Sequence, residues 1–280
     1  MPKRIAIQGI QGSYHEIAAR NHYAGETVDI IACRTFADVV TAIQGNRRQL
    51  GIMAIENTIA GSLLQNHELI RRSGLTVIGE HKLRISHQLA ALPKTPLDAI
   101  REVHSHPMAI LQCRDFLETL PDVKLVETED TASSARRIAE KKLDGIAAIC
   151  SREAAKLFGL DILVEGIESD KHNYTRFLVI ADSERAKELL NGVTPNKASL
   201  VFSLNHSVGS LAHVLSVFSF YGLNLTKLQS FPRVGFEWQY LFYTDLTFED
   251  HARFQQAVTA VHPLTTDLNI LGQYIQTSEA

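Results

Sequence analysis

The stretch NYTRFLVIA, Asn173 to Ala181, closes on an unbroken apolar run and follows two rounds of alternating strand-like and helix-like segments. It reads as a strand returning to the first of two lobes, and that return decides the architecture. From Met1 to about Ala181, short β-branched runs alternate with helix-period stretches, the pattern of βαβ units with largely parallel sheet. KRIAIQG is a first strand ending at Gly9, and LGIMAIEN is a buried one. Between them Phe36, Val39, Val40 and Ile43 recur at helical spacing behind Thr35, the expected N-cap. LTVIGE and LRISHQLAAL follow as strands, the second leaving the first lobe. The second round opens near Pro96 with REVHSHP and a helix carrying Ala109, Cys113, Phe116 and Leu117 on one face. VKLVET, a helix capped by Asp130 or Thr131, GIAAIC, SREAAKLFG and DILV complete it.

Beyond Ala181, the segment DSERAKELLNGVTPNK, residues 182–197, carries charges and then Gly192 and Pro195, as a linker would. The rest runs strand, helix, strand, strand, helix, strand. ASLVFSL leads to SVGSLAHVLSVFSFYG, which stops at Gly222; LNLTKLQSFP and WQYLFYTDLTF flank the turn-rich PRVGFE; a helix from about Glu249 to Val261 precedes LNILGQYI. This order is ferredoxin-like. The expected division is therefore a first unit over 1–181, with lobe one about 1–80 plus 172–181 and lobe two about 81–171, a linker over 182–197 and a second unit over 198–280.

Composition agrees with a soluble α/β protein. The 280 residues suggest about two domains, and 45% hydrophobic with 21% charged residues excludes collagen-like, disordered and disulfide-scaffold classes. Lys plus Arg number 28 against 31 Asp plus Glu, a net charge of -3, which argues against a nucleic-acid or membrane-surface binder. Cys33, Cys113 and Cys150 are odd in number and have no C-x-x-C spacing, so they read as small core residues of a reducing compartment. The apolar run after MPKR stops at Gln8, too early for a secretory signal, and no stretch of about 18 apolar residues could span a membrane. A cytoplasmic protein is expected.

In open α/β sheets ligands sit beyond the carboxyl ends of the strands. There the sequence places Gly9-Ile10-Gln11-Gly12-Ser13, Glu56-Asn57-Thr58, Ser86-His87-Gln88, Ser105-His106, Asp130-Thr131 and Asn173-Tyr174-Thr175-Arg176. Hydroxyls, amides and helix N-termini dominate, a lining suited to an anionic small molecule held by neutral donors and one arginine. Singly, each has a plainer reading. Gly9 and Gly12 give only G-x-x-G, which a tight strand-to-helix turn explains; Asp130, Thr131 and Ser133 are common capping residues; His104 and His106 lack a third metal ligand at good spacing.

Taken together the strings are specific. GIQGSYHEIAA, AIENTIAG, SHPMAILQC, DTASSA, CSREAAKLFGL and NYTRFLVI, in this order and followed by a segment similar to an ACT domain, resemble the prephenate dehydratase family over nearly the whole chain. The resemblance implies a two-lobed, periplasmic-binding-protein-like catalytic fold with the active site between the lobes. It implies catalytic roles for Thr175, Arg176 and Phe177, the threonine being essential, and places Ser13, Asn57, Thr58, Ser86, Gln88, Ser105, Thr131 and Asn173 in the same cleft. The reaction would convert prephenate to phenylpyruvate, water and carbon dioxide. Aromatisation drives it, so neither metal nor organic cofactor is expected. Arg176 would hold one substrate carboxylate and helix N-termini after Gly12 and Asp130 would help with the other. Threonine is too weak an acid to act unaided, which makes Glu56 and His172 the candidates to restore its proton.

The chain departs from the family pattern in places. Gly12-Ser13-Tyr14-His15-Glu16 stands for Gly-Thr-Phe-Ser-Glu, bringing the titratable His15 to the cleft, and Glu56-Asn57-Thr58 stands for Glu-Asn-Ser. In the ACT-like segment Gly209-Ser210-Leu211-Ala212 replaces Gly-Ala-Leu plus a small residue, while Gln229-Ser230-Phe231-Pro232 replaces Glu-Ser-Arg-Pro and removes two charges. Phenylalanine as effector would involve Gly209, Ser210, Leu211 and Ala212 with Asn224, Gln229 and Ser230, at the interface of a homodimer or homotetramer; a purely dimerising segment is the rival. Arogenate dehydratase and a non-catalytic amino-acid-binding regulator are the alternative functions. No fused chorismate mutase, nucleic-acid partner or membrane partner is expected.

Overall fold

The computed structural model describes residues 2–120, 122–233, 235 and 239–277. The chain opens with β1 (Lys3–Gln8), α1 (Tyr14–His22), β2 (Val28–Cys33), α2 (Phe36–Gly45), β3 (Leu50–Asn57), the short β4 (Gly61–Ser62), α3 (Leu64–Ser73) and β5 (Thr76–Arg84). It crosses to β6 (Gln88–Ala91), β7 (Glu102–Ser105), α4 (Pro107–Gln112), α5 (Arg114–Leu117), β8 (Lys124–Glu127), α6 (Thr131–Lys141), β9 (Ile146–Cys150), α7 (Arg152–Leu157) and β10 (Asp161–Val164). It returns through β11 (Tyr174–Ala181) and α8 (Ser183–Leu190), then ends with β12 (Lys197–Ser203), α9 (Ser210–Phe220), β13 (Asn224–Pro232), β14 (Tyr240–Thr247), α10 (His251–Val261) and β15 (Thr266–Tyr274).

Three sheets result, ordered β2-β1-β3-β11-β5 with β4 on β3, β10-β6-β9-β7-β8, and β13-β14-β12-β15. β11 inserts between β3 and β5 and runs antiparallel to both. β6 is likewise antiparallel to β9 and β10, so the first two sheets are mixed rather than largely parallel. The reason is the crossing itself: a strand that re-enters from the far lobe arrives pointing the opposite way.

Local chemistry sets the boundaries. Thr35 and Asp38 form a reciprocal capping box at the start of α2, and Asp130 caps α6 by accepting from the Ser133 amide. α9 gives way to Gly222 at φ +73°, a left-handed position natural to glycine. The segment expected as a linker begins as helix: α8 packs Ala186 and Leu189 on the first sheet. The predicted turn over 232–237 and the start of the next strand at Trp238 lie largely outside the described residues.

β11 shows how the layers meet. Phe177, Val179 and Ala181 face Ala18 and Ala19 of α1 and Ala186 of α8, whereas Leu178 and Ile180 face the opposite core. That second core includes Val201, Leu241, Tyr243, Leu271 and Tyr274 of the third sheet. The third sheet is thus covered on both faces, by the first lobe on one side and by α9 and α10 on the other. Fit is close at Gly272, where an added Cβ would collide with the Val77 carbonyl. Phe177, fully buried in this arrangement, contributes about 1.5–3 kcal/mol of apolar burial.

Candidate active site

β1, β2 and β3 are parallel and end along one edge of the first sheet. Beyond that edge, between the first two sheets, lies a cleft of about 630 Å³, within the usual range for small-molecule sites. Ser13, Tyr14, His15, Asn57, Thr175 and Phe177 line it from the first lobe, and His87, His106, Gln112 and Thr131 from the second.

A ring of amides joins the lobes. Asn57 Oδ1 accepts from the backbone N–H groups of Ile59 and Ala60 at 3.0 and 2.9 Å, which fixes which end of this amide is oxygen. Gln112 Nε2 donates to the same oxygen at 3.3 Å, so Gln112 Oε1 is the acceptor for Asn173 Nδ2 at 3.0 Å and for His87 Nε2 at 2.9 Å. Neutral His87 therefore carries its proton on Nε2, and its Nδ1, 2.9 Å from the Tyr14 hydroxyl, is one of two acceptors facing that hydroxyl's single hydrogen, the other being the Ser86 carbonyl at 2.8 Å. Burial favours that neutral form by lowering the imidazole pKa. The outcome reaches Thr175: Asn57 Nδ2 shares its two hydrogens among Asn173 Oδ1 at 2.7 Å, Thr175 Oγ1 at 3.0 Å and the Tyr174 carbonyl at 3.1 Å. Thr175 Oγ1 is an acceptor within the protein, and its own hydrogen is left to the cleft.

His15 is pinned edge-on to Phe177, with ring centroids 5.1 Å apart, and its Nε2 accepts weakly from the Ala54 amide at 3.4 Å. Burial pushes its pKa down to about 4, so it is neutral near pH 7. His106, also lowered by burial, uses Nδ1 to cap α4 by accepting from the Met108 amide. Burial raises the thiols of Cys113 and Cys150, the latter to about 12, which makes them inert. Among the described residues no cluster of three His, Cys, Asp or Glu is placed to hold a metal ion.

Arg176 requires a correction. Because side chains alternate along a strand, Thr175 and Phe177 face the cleft while Arg176 points behind the sheet. There its guanidinium meets Glu80 at 2.7 Å, Glu56 at 2.9 Å, Asp245 at 2.5 Å and the Tyr274 hydroxyl at 3.1 Å. Lys197 joins Glu80 at 2.9 Å and Lys227 joins Glu56 at 2.5 Å, so three cations and three carboxylates balance in one buried network. Burial alone would raise the Glu56 and Asp245 pKa values, but Arg176 and its neighbouring cations outweigh it and hold both below the usual range. Glu56 is thereby removed as a proton source for Thr175. His172 is removed too, being exposed and paired with Asp170 at 3.4 Å.

The other expected residues divide between cleft and scaffold. Ser13 stands at the cleft as N-cap of α1, and Thr131 as the first residue of α6. Asn173 is fully buried within the amide ring. Thr58 instead bridges the crossing strands, donating to the His172 carbonyl at 2.8 Å and accepting from the Tyr174 amide at 2.9 Å. Gln88 bonds Ser86 Oγ at 3.1 Å and accepts from the Gly166 amide, and buried Ser105 donates to the Ile149 carbonyl at 2.7 Å. These four hold the scaffold and do not line the cleft. Gln112 was missed as a site residue, whereas His87 stood among the expected strand-end residues; the available signal was that Gln112 is a polar residue on the apolar face that carries Ala109 and Cys113. Gly209, at φ +80°, caps α9 ahead of Ser210, Leu211 and Ala212, while Asn224, Gln229 and Ser230 lie on the edge strand β13 of the third sheet, and none of these residues lines the cleft.

Residues 5–185 match the family model described as prephenate dehydratase. A bifunctional chorismate mutase/prephenate dehydratase of Enterobacter agglomerans is 32% identical over 275 residues, covering 97% of this chain and 70% of that protein. The solved prephenate dehydratase of Arthrobacter aurescens, in complex with L-Phe, is 26% identical with a TM-score of 0.84, covering 97% of this chain and 89% of that one. The solved structure of GqqA, described as a novel type of quorum quenching acylase, is 29% identical with a TM-score of 0.85 and 99% coverage of both chains.

Proposed function

The chain belongs to the prephenate dehydratase family, and from that premise we infer that its cleft converts prephenate to phenylpyruvate, water and carbon dioxide through hydrogen-bond donation by Thr175. The overall change takes up one proton: the electron pair of the breaking carbon–carboxylate bond enters the ring, the ring C–O bond breaks, and the departing hydroxide leaves as water. The observation that carries this reading is the Asn57 amide nitrogen 3.0 Å from Thr175 Oγ1. It engages the oxygen and leaves the hydroxyl hydrogen for the departing group, while solvent restores the proton. Asn57, Gln112 and Asn173 keep that hydroxyl in place, and a preset donor is worth most where charge develops. The N-termini of α1 and α6 favour the anionic substrate. An acylase reaction has less support, since among the described residues the side-chain partner of Thr175 Oγ1 is an amide donor and not a base. Incubating purified protein with prephenate and following phenylpyruvate tests the assignment; turnover is expected, and its absence overturns the reading.

The third sheet is read as an ACT regulatory domain, with phenylalanine bound near Gly209–Ala212 and β13. Its βαββαβ order and the L-Phe complex of the Arthrobacter relative support this. β13 is an edge strand with exposed residues, suited to pairing in a homodimer or a tetramer of dimers. The free cysteines fit a cytoplasmic setting.

A further inference from the structure

Prephenate carries two carboxylates, and the residue expected to hold one of them is engaged elsewhere. Arg176 lies behind the sheet among Glu56, Glu80 and Asp245. The three histidines of the cleft, His15, His87 and His106, all have pKa values lowered by burial. Among the described residues that line the cleft, one carries a guanidinium: Arg34.

Arg34 directly follows Cys33, the last residue of β2, at the strand edge where ligands gather in such sheets. It is exposed and makes no side-chain hydrogen bond or ion pair among the described residues. Its backbone is well anchored. The next residue, Thr35, accepts from the Asp38 amide at 3.1 Å and donates its own amide to Asp38 Oδ2 at 2.9 Å. A free guanidinium thus projects from a capped helix start into the cleft. On the opposite side of the cleft stand Glu129, exposed, and Asp130, whose carboxylate accepts from the Ser133 amide at 2.7 Å.

We propose that Arg34 is the carboxylate-binding residue of the cleft, its planar fork taking one carboxylate of the dianionic substrate in a paired, bidentate contact. The assignment rests on the dehydratase reading and supplies the counter-charge which that reading lacks once Arg176 is placed. Such a contact is made in the bound substrate and in the transition state alike, so it acts on KM more than on kcat.

The test is steady-state kinetics with prephenate on Arg34→Gln, Arg34→Lys, Arg34→Gly and Glu129→Gln. Arg34→Gln should raise KM by about tenfold to a hundredfold with kcat within about threefold, the scale of one lost charge-assisted contact. Arg34→Lys should fall between it and wild type, since a point charge keeps attraction but loses the fork. Added guanidinium should restore part of the activity of Arg34→Gly, which a merely structural role would not allow. Glu129→Gln, which removes a like charge facing the dianion, should lower KM. An Arg34→Gln enzyme with unchanged KM overturns the assignment. So does a Glu129→Gln enzyme whose KM rises as much as that of Arg34→Gln, because the pair would then be a latch between lobes. Wild-type protein that releases no phenylpyruvate removes the dehydratase reading itself and this assignment with it.

Discussion

The side-chain nitrogen of Asn57 lies 3.0 Å from the hydroxyl oxygen of Thr175, across the β3–β11 pairing that sets these two residues opposite each other. The amide can only donate from that nitrogen, because its oxygen is held by the Ile59 and Ala60 amides. Thr175→Val keeps the shape and deletes the donor. It should lower kcat by about a hundredfold to a thousandfold, the scale of losing one preset donor, with KM within a few-fold. Thr175→Ser, which retains a hydroxyl with freer rotation, should keep intermediate activity. A Thr175→Val enzyme with normal kcat, measured by phenylpyruvate release, would take Thr175 out of the reaction.

Arg176→Met tests the network behind the sheet. The substitution leaves Glu56, Glu80 and Asp245, among the described residues, with Lys197 and Lys227 as the cations of the network. Removing one partner from a buried ion network destabilises by about 3–5 kcal/mol. For a chain of this size the melting temperature should fall by roughly 6–15 °C, with KM for prephenate nearly unchanged in the folded fraction. A large KM increase without thermal destabilisation would return Arg176 to the cleft.

That contrast also measures what the sequence made legible. Strand alternation already puts Thr175 and Phe177 on one face and Arg176 on the other; grouping the three as one catalytic motif concealed it. Capping at Thr35 and Asp130 was readable because its partners lie within three residues. The ferredoxin-like order was readable from the switch of hydrophobic period. The docking of that sheet on the first lobe was not, although β12, buried at every residue, carried a hint that both its faces are covered. Gln112 escaped because its partners Asn57 and Asn173 are 55 and 61 residues away in the chain. Local pattern reports faces and ends, and it does not report which distant face meets which.

Stability should fall with acid in two stages. Burial lowers His15, His22 and His67 to about 4 from the ordinary 6.5. The unfolded chain then binds more protons between those values, so the contribution is complete above pH 6.5 and disappears as pH falls through about 4. Below that range the carboxylates held low by cations, Glu56, Glu68 and Asp245, are protonated in their turn. Melting temperature measured from pH 7.5 downward should begin to drop near 6.5, with up to six protons taken up, because burial also lowers His81, His87 and His106, and His67→Gln should flatten that slope. A level profile between pH 6.5 and 5 contradicts this account.

Phenylalanine binding separates a sensor from a dimerising module. Gln229 and Phe231 remove charges that the family's effector motif commonly carries, while the capped start of α9 at Gly209 keeps N–H groups available for an amino-acid carboxylate. Calorimetry should detect binding to the 280-residue chain, weakened by Gly209→Val, which forces a β-branched residue into φ +80°. No heat at millimolar phenylalanine leaves the third sheet an assembly module only.

The two lobes also touch through a glycine. Gly12 sits at φ +85°, and a Cβ added there would lie 2.8 Å from Ala154 Cα and 2.9 Å from Ala154 Cβ, at the start of α7 in the second lobe. Its carbonyl accepts from Ser151 Oγ at 2.6 Å and its amide donates to Glu16 Oε2 at 2.6 Å. Any side chain must push the lobes apart or twist the loop that presents Ser13 and Tyr14 to the cleft. Gly12→Ala should therefore reduce kcat/KM by more than tenfold while the third sheet stays intact. Ser151→Ala, which loses the bond to the Gly12 carbonyl and the α7 cap on the Ala154 amide but keeps the close approach, should cost about 2–4 kcal/mol in stability and little in turnover. If Ser151→Ala abolished activity while Gly12→Ala did not, hydrogen bonding rather than backbone proximity would be what sets the spacing of the lobes.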